Sequence, residues 1–591
     1  MIKNIILILL LTFSTIYASK VKDSNITKAE EKEYKLIITG VKNLDKDDIA
    51  KALGVKSTGM LFWSKNNILK ESFLKNLESS LKIYLENKGY FDAKFTILKS
   101  GDTVTVNIIE GKPVKIVSVN IDSNFDIKKL ITQKKGDIFE SNKFTDIKDK
   151  IVTKLLENGY CKYKLNSKAY IDLKLHSVKL KYKLDKDGIC HFGKIRIDKY
   201  PKDIKKDVIY SRLKYKHGDK FDIRAIEDSY KSLNALNTFA NLQIKYSIQE
   251  DSNKTIDTTI TLDKREKLKR YMVALGADSE VGARIKGSWE KRNFMGNAKK
   301  ITIKTQLAKD KKDIEGELFT PAFLSIDGNY LDLYLSSGYE LDILSAYRQD
   351  KIYFDSHLDY NNKQWNAQAG FSIENLDIKL HEKLPYVIGG TFNLVYPYMH
   401  ITYDSRDSKI DPKNGVYFSA YSEYDIANNK GGVQYLKYLL EARVIKSFGY
   451  LTLSAVGKIG AIHEISGRLP ASKLFYGGGL FSNRAYGKND LGIITSKRSH
   501  RKLGGKSYVN LQLEANYKLY KKLYGAIFFD STIINKEEYK FNGTRIDTIG
   551  FGLRYKTPIG PVKLDVGFNL HKRKDYAISI MLGQSFWKSY L

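Results

Sequence analysis

This 591-residue chain has little that would support catalysis or a membrane-spanning helix. It has only two cysteines, Cys161 and Cys190, so it holds at most one internal disulfide. After the first residues, no stretch of 18 continuous apolar residues occurs, which excludes a transmembrane helix from the rest of the chain. There is no GxSxG elbow, no HExxH pair and no P-loop. HEKL at His381 and HEIS at His463 lack the second histidine that zinc needs, and the nine histidines form no ligand spacing. The expectation is therefore no enzyme, no cofactor and no metal.

At the N-terminus, Lys3 is followed by the apolar run Ile5 to Phe13, and Ala18 closes a cleavage site. A run that short does not cross a bilayer core of ~30 Å, so residues 1–18 read as a secretory signal peptide. The compartment is then oxidising. The formal charge is +32, but lysine is spread along the whole chain and an exported protein rarely meets nucleic acid. No nucleic-acid partner is expected. The excess reads either as a general Lys-rich bias or as attraction to anionic lipid headgroups.

The first half repeats. Each copy reads as a strand, two helices and a two-stranded hairpin. Copy one opens at Tyr34 to Val41, carries a helical pattern from Ile68 to Asn87, and closes at Gly111 after TVTVNIIEG. Copy two opens at Val114 to Asp122, and its strand VKLKYKLD spans Val178 to Asp185. Helix-stopping Gly89-Tyr90 and Gly159-Tyr160 stand 70 residues apart in the two copies. Copy three opens at Phe192 to Asp198, echoes KKGDIFE with KHGDKFD, and closes at Asp263.

From Leu268 onward, apolar and polar residues alternate. Val509, Leu511, Leu513 and Ala515 interleave with Asn510, Gln512, Glu514 and Asn516. Ile549, Phe551, Leu553 and Tyr555 interleave with Gly550, Gly552, Arg554 and Lys556. A strand puts each set on one face. Sixteen such runs fit between Lys269 and Phe586. An even number with one apolar, aromatic face suits strands that close a ring in lipid. A soluble sandwich or propeller would not need 40 tyrosines for its exposed faces.

Together these features resemble the TamA-like outer-membrane translocation and assembly factors, in the POTRA-barrel superfamily they share with BamA and the two-partner secretion transporters. The resemblance implies α+β POTRA repeats at 34–111, 112–187 and 188–264, followed by an all-β, 16-stranded antiparallel transmembrane barrel at 268–591. It places the protein in the outer membrane with its repeats in the periplasm. GGGLFSNRAYG, Gly477 to Gly487, lies in a long connection between His463 and Ser507 and is similar to the family's in-folded loop motif. Arg484, Tyr486 and Gly487 match; Ala485 and Asn483 depart from the usual Gly and Val. Asp530, in GAIFFDS, corresponds to the inward aspartate that pairs with the loop arginine. GFGLRYKTPIGPVKLDVGFNL resembles the penultimate hairpin, with a tight turn at Pro558 to Pro561, and Thr402 to Ser419 resembles another superfamily hairpin. Ile578, Ile580, Leu582 and Phe586 look like the C-terminal assembly signal.

The implied mechanism is a lateral seam between the first and last strands, where Gly276 and Gly583 weaken the join and a client strand adds to the exposed edge. Implied partners are unfolded outer-membrane client proteins, outer-membrane lipid, and a TamB-like partner anchored in the inner membrane that docks on residues 34–111. Rival readings are a BamA-like core factor, a two-partner secretion-type transporter and a diffusion porin. Cys161 and Cys190 flank a hairpin that turns near His176, which allows a disulfide or two free buried thiols.

Overall fold

The computed structural model describes residues 31–582 apart from 59–65, 249–253, 280–281, 383–386, 427–432, 495–501, 558–559 and 573. The expected signal peptide, Pro558, Gly583 and Phe586 lie outside the described residues. The chain forms two compact units. One runs to Cys190 and adds Lys220–Ile223; the other takes the remainder.

In the first unit, strand Glu33–Thr39 runs parallel to Thr103–Ile109, which is hairpinned to Lys94–Ser100. Helix Leu77–Asn87 covers this sheet with Leu77, Leu81 and Leu85 buried at i, i+4 spacing. The second repeat has the same plan. Lys115–Ser123 runs parallel to Ser177–Lys186, which pairs with Tyr163–Asp172, under helix Ser141–Glu157. Both helices stop in the same way. Gly89 and Gly159 adopt φ of +85° and +87°, and the following tyrosine N–H donates to Leu85 or Leu155, each at 2.9 Å. A left-handed glycine followed by a back-reaching N–H is a Schellman cap, which accounts for the repeated Gly-Tyr pair. Cys161 and Cys190 are joined by a disulfide across the base of the second hairpin, with Cα atoms 5.9 Å apart.

Two helical expectations require correction. Ile68 to Lys70 belong to a strand, Asn66–Lys70, and the helices begin only at Glu71 and Leu77. The edge of Glu33–Thr39 is open beside them, and pairing Tyr34 with Leu69 buries Leu69 completely. In the second repeat the first helix is reduced to a 3₁₀ turn, Lys128–Leu130.

The second unit begins with His191–Lys199 parallel to Thr255–Lys264, itself hairpinned to Phe239–Ile248. A sixteen-stranded antiparallel sheet follows, paired in chain order. Its first eight strands are β1 (Lys269–Asp278), β2 (Gly282–Lys291), β3 (Lys300–Ala308), β4 (Lys311–Ile326), β5 (Asn329–Ile343), β6 (Tyr347–Asn362), β7 (Trp365–Leu380) and β8 (Gly390–Asp404). The rest are β9 (Gly415–Tyr424), β10 (Gln434–Phe448), β11 (Leu451–Ser466), β12 (Ser507–Tyr520), β13 (Leu523–Asn535), β14 (Thr544–Thr557), β15 (Gly560–Asn569) and β16 (Tyr576–Leu582). One face is apolar and exposed, as at Ile549, Phe551, Leu553, Ile578 and Ile580; the other carries buried Asn510, Glu514, Asp530, Thr548 and Asp565. That is the pattern of a barrel with its outside in lipid and its polar side chains within. Arg212 reaches from the domain before β1 to Asp332 on β5, with Nη1 2.9 Å from Oδ2.

The first repeat also holds a buried carboxylate. Glu110 accepts from the backbone N–H groups of Lys42, Asn43 and Leu44 at 2.8, 2.8 and 3.0 Å. Burial opposes its ionisation, but these N–H groups outweigh burial and hold its carboxyl below the usual Glu range. Its stabilising effect is therefore present above the unfolded-state pKa and fades as pH falls through the lower folded value. Glu110→Gln is expected to destabilise the repeat by about 1–3 kcal/mol at neutral pH. Hydrogen exchange at the Lys42 to Leu44 amides should quicken in the variant, and the difference from wild type should shrink on acidification.

Candidate functional site: the loop inside the barrel

The connection from β11 to β12 folds into the barrel. It turns at Gly478 and Gly479, which adopt φ of +96° and +87°; Gly479 N–H bonds the Tyr486 carbonyl at 2.9 Å. A side chain on Gly478 would collide with the carbonyl of Gly487. This tight fold projects Arg484 into the lumenal wall, where it is 2% exposed.

Arg484 meets Asp530 on β13 in fork geometry, with Nε–Oδ2 2.9 Å and Nη2–Oδ1 2.8 Å. The Arg484 backbone N–H adds a third bond to Oδ2 at 3.0 Å. Its Nη1 also pairs with Glu514 on β12 and lies 3.7 Å from Asp565 on β15. Arg554 on β14 bonds Glu514 at 3.2 Å and pairs with Asp565. The guanidinium lies 3.5 Å from the ring centre of Phe528. A guanidinium taken out of water needs this density of carboxylate partners, and its planar fork fits the bidentate arrangement.

The neighbouring residues read the wall through hydrogen bonds. Asn483 donates to the Ile546 carbonyl at 3.1 Å and accepts from Thr548 at 2.7 Å. Tyr486 donates to Asp575 at 2.9 Å and accepts from Asn569 at 2.6 Å, and Gly487 lies beside Asp490. Ala485 is buried without a positive φ, so its methyl group costs no backbone strain. The wall makes room at Gly567, where a Cβ would stand 2.5 Å from the Arg484 carbonyl oxygen.

The structure thus brings Arg484, Tyr486 and Asp530 into one assembly. Sequence reading missed Glu514, Arg554 and Asp565, whose inward positions on alternating strands were the available signal. On both sides of this fold along the loop, Leu469, Leu474, Phe475, Leu491 and Leu503 join strand residues in a buried apolar cluster inside the barrel. Gly276 lies on β1 near Arg284 of β2, and Ile578 and Ile580 face outward on β16, whose last described residue is Leu582.

Asp530→Asn should cost about 3–5 kcal/mol by leaving Arg484 undercompensated. Gly567→Ala should lower the melting temperature of the detergent-solubilised protein as well. Gly457→Ala on β11, where a Cβ meets nothing within 4 Å, should leave it unchanged.

Comparisons with known proteins agree with this architecture. The Omp85 superfamily domain matches residues 293–586, and the POTRA model, described as a surface antigen variable number repeat, matches 34–111 and 112–187. The outer membrane protein assembly factor BamA of Nitratidesulfovibrio vulgaris is 21% identical over 567 residues, covering 92% of this chain and 71% of that protein. BamA of Neisseria meningitidis serogroup B is 21% identical over 619 residues, covering 91% of this chain and 76% of that protein. The crystal structure of BamA from Haemophilus ducreyi lacking POTRA domains 1–3 superposes with a TM-score of 0.50 at 13% identity, over 80% of this chain and 98% of that one. The chain belongs to the Omp85 superfamily and is a non-enzymatic outer-membrane barrel with periplasmic POTRA domains.

Proposed function

We propose that this protein inserts client β-barrel or autotransporter proteins into the outer membrane through a lateral seam between β1 and β16, with three POTRA repeats, at 34–111, 112–187 and 188–264, receiving the clients. The observation that carries the reading is where the first and last strands of the sheet meet. Every other neighbouring pair of strands in the sheet forms a ladder. Between β1 and β16 the described residues make only a local contact: Ser279 N–H donates to the Ile580 carbonyl at 3.4 Å, and Ile580 N–H donates to Ser279 Oγ at 3.2 Å. β1 is exposed on both faces, with Val273 76% and Met272 50% exposed. The edge strand of a sheet can pair with an added strand through its backbone groups.

Proteins similar in sequence over most of this chain are called outer membrane protein assembly factors, which supports the same class of work here. The apolar cluster around the in-folded loop lies inside the barrel, which favours a loop-occupied lumen over the open pore of a diffusion porin. Within the superfamily we favour a TamA-like role, since three repeats precede the barrel. A TamB-like, inner-membrane-anchored partner would dock on residues 34–111, the repeat farthest from the barrel in sequence. In this reading Ile578, Ile580, Leu582 and Phe586 form the chain's own assembly signal, and Gly276 and Gly583 ease parting of the seam.

The seam is testable by cross-linking. A disulfide between Ser279→Cys and Ile580→Cys should abolish client insertion into liposomes, and reductant should restore it. Full insertion activity in the oxidised protein would overturn the seam model.

A further inference from the structure

The Arg484 assembly ties the middle of the in-folded loop to β12–β15. A second buried cation sits near the start of the same loop. Lys473 ends the 3₁₀ turn Ala471–Lys473 and is 8% exposed. Its Nζ lies 2.8 Å from Glu374 Oε2 on β7 and 3.8 Å from Glu423 Oε1 on β9. It also stands 4.3 Å from the ring centre of Tyr396 on β8.

The receiving wall is built for a cation at this point. Tyr396 donates to Glu374 at 2.7 Å, and Tyr435 on β10 donates to Glu423 at 2.9 Å, with Tyr421 as a further donor to Glu423. These phenols orient two carboxylates from separate strands toward one ammonium. Lys437 on β10 then holds the Lys473 carbonyl at 3.0 Å. Two buried carboxylates converging without a cation between them would repel each other and remain poorly solvated. Neither carboxylate takes part in the Arg484 assembly, and the two stretches of wall share no strand.

We infer that Lys473 is a positioning residue: a second latch that pins the in-folded loop to β7–β10 independently of Arg484, making the loop a brace between two stretches of the barrel wall. The inference rests on the assembly reading only for its consequence in client insertion. The latch itself is read without any client.

Ala471→Cys and Ala485→Cys place reporters beside the two latches, at residues that are both buried. The native cysteines are joined in a disulfide and do not report. In the full-length protein in detergent, a polar maleimide should label both reporters slowly. Lys473→Gln should speed labelling at position 471 by at least about tenfold and leave position 485 protected; Arg484→Ala should do the reverse. Lys473→Arg should keep position 471 protected. Glu374→Gln, which loosens the latch from the strand side, should reproduce the Lys473→Gln pattern and decides the matter if Lys473→Gln does not fold. Unchanged protection at position 471, or both reporters becoming reactive together in either variant, would overturn the second latch. Failure of client insertion assays would bear on the function and leave this result standing.

Discussion

Hydrocarbon offers no hydrogen bonds, and each unpartnered peptide group within it costs several kcal/mol. The ladders running from β1 to β16 answer that constraint strand by strand. They also divide the side chains by parity. Residues such as Phe551 and Leu553 go to lipid, and their neighbours must go inside whatever their charge. The lumen therefore inherits Glu514, Asp530, Arg554 and Asp565 in a space with little water to solvate them. Such groups are tolerated only when paired, and the loop from β11 to β12 supplies the missing partner.

The loop's own shape follows from what it must deliver. A guanidinium placed between carboxylates from three strands requires its backbone to run hard against the wall. Gly567 gives up its side chain there, and Gly478 and Gly479 take left-handed conformations so that the chain can turn back. The position where the family pattern has a glycine, Ala485, does not need one, because its backbone stays in the ordinary region. Conformational freedom is spent where the turn is made, at Gly478 and Gly479, and not at the arginine.

Much of the barrel was legible because its signal is local. A period of two over Val509 to Asn516 or Ile549 to Lys556 fixes which face each residue takes, and the observed strands β12 and β14 carry those residues on the expected faces. The Gly-Tyr helix stops were legible for the same reason. The strand Asn66–Lys70 was not: NNILK has no period of its own, and only the open edge of Glu33–Thr39 makes it a strand. Arg484 and Asp530 could be singled out through family resemblance, since nothing in their residue types marks them among 99 Lys and Arg and 67 Asp and Glu. Glu374, Glu423 and Lys473 lay beyond any local pattern. Their relation exists only once β7, β9 and the loop face the same point in the lumen.

The strengths of the two sides of the ring differ in a way that bears on the proposed seam. Among the described residues, β4 to β8 have 15 or 16 each, whereas β1, β2 and β3 have 10, 10 and 9. Backbone pairing scales with ladder length, so β1 to β3 hold each other with fewer bonds. Among the described residues, the loop's ion pairs fall on β7, β9, β11, β12, β13 and β15, and none reaches β1–β3. A barrel braced in this way resists deformation where the loop is anchored and leaves β1 to β3 outside the loop's described ion pairs. If the ring yields at the proposed seam, Arg484 need not release Asp530 for that to happen.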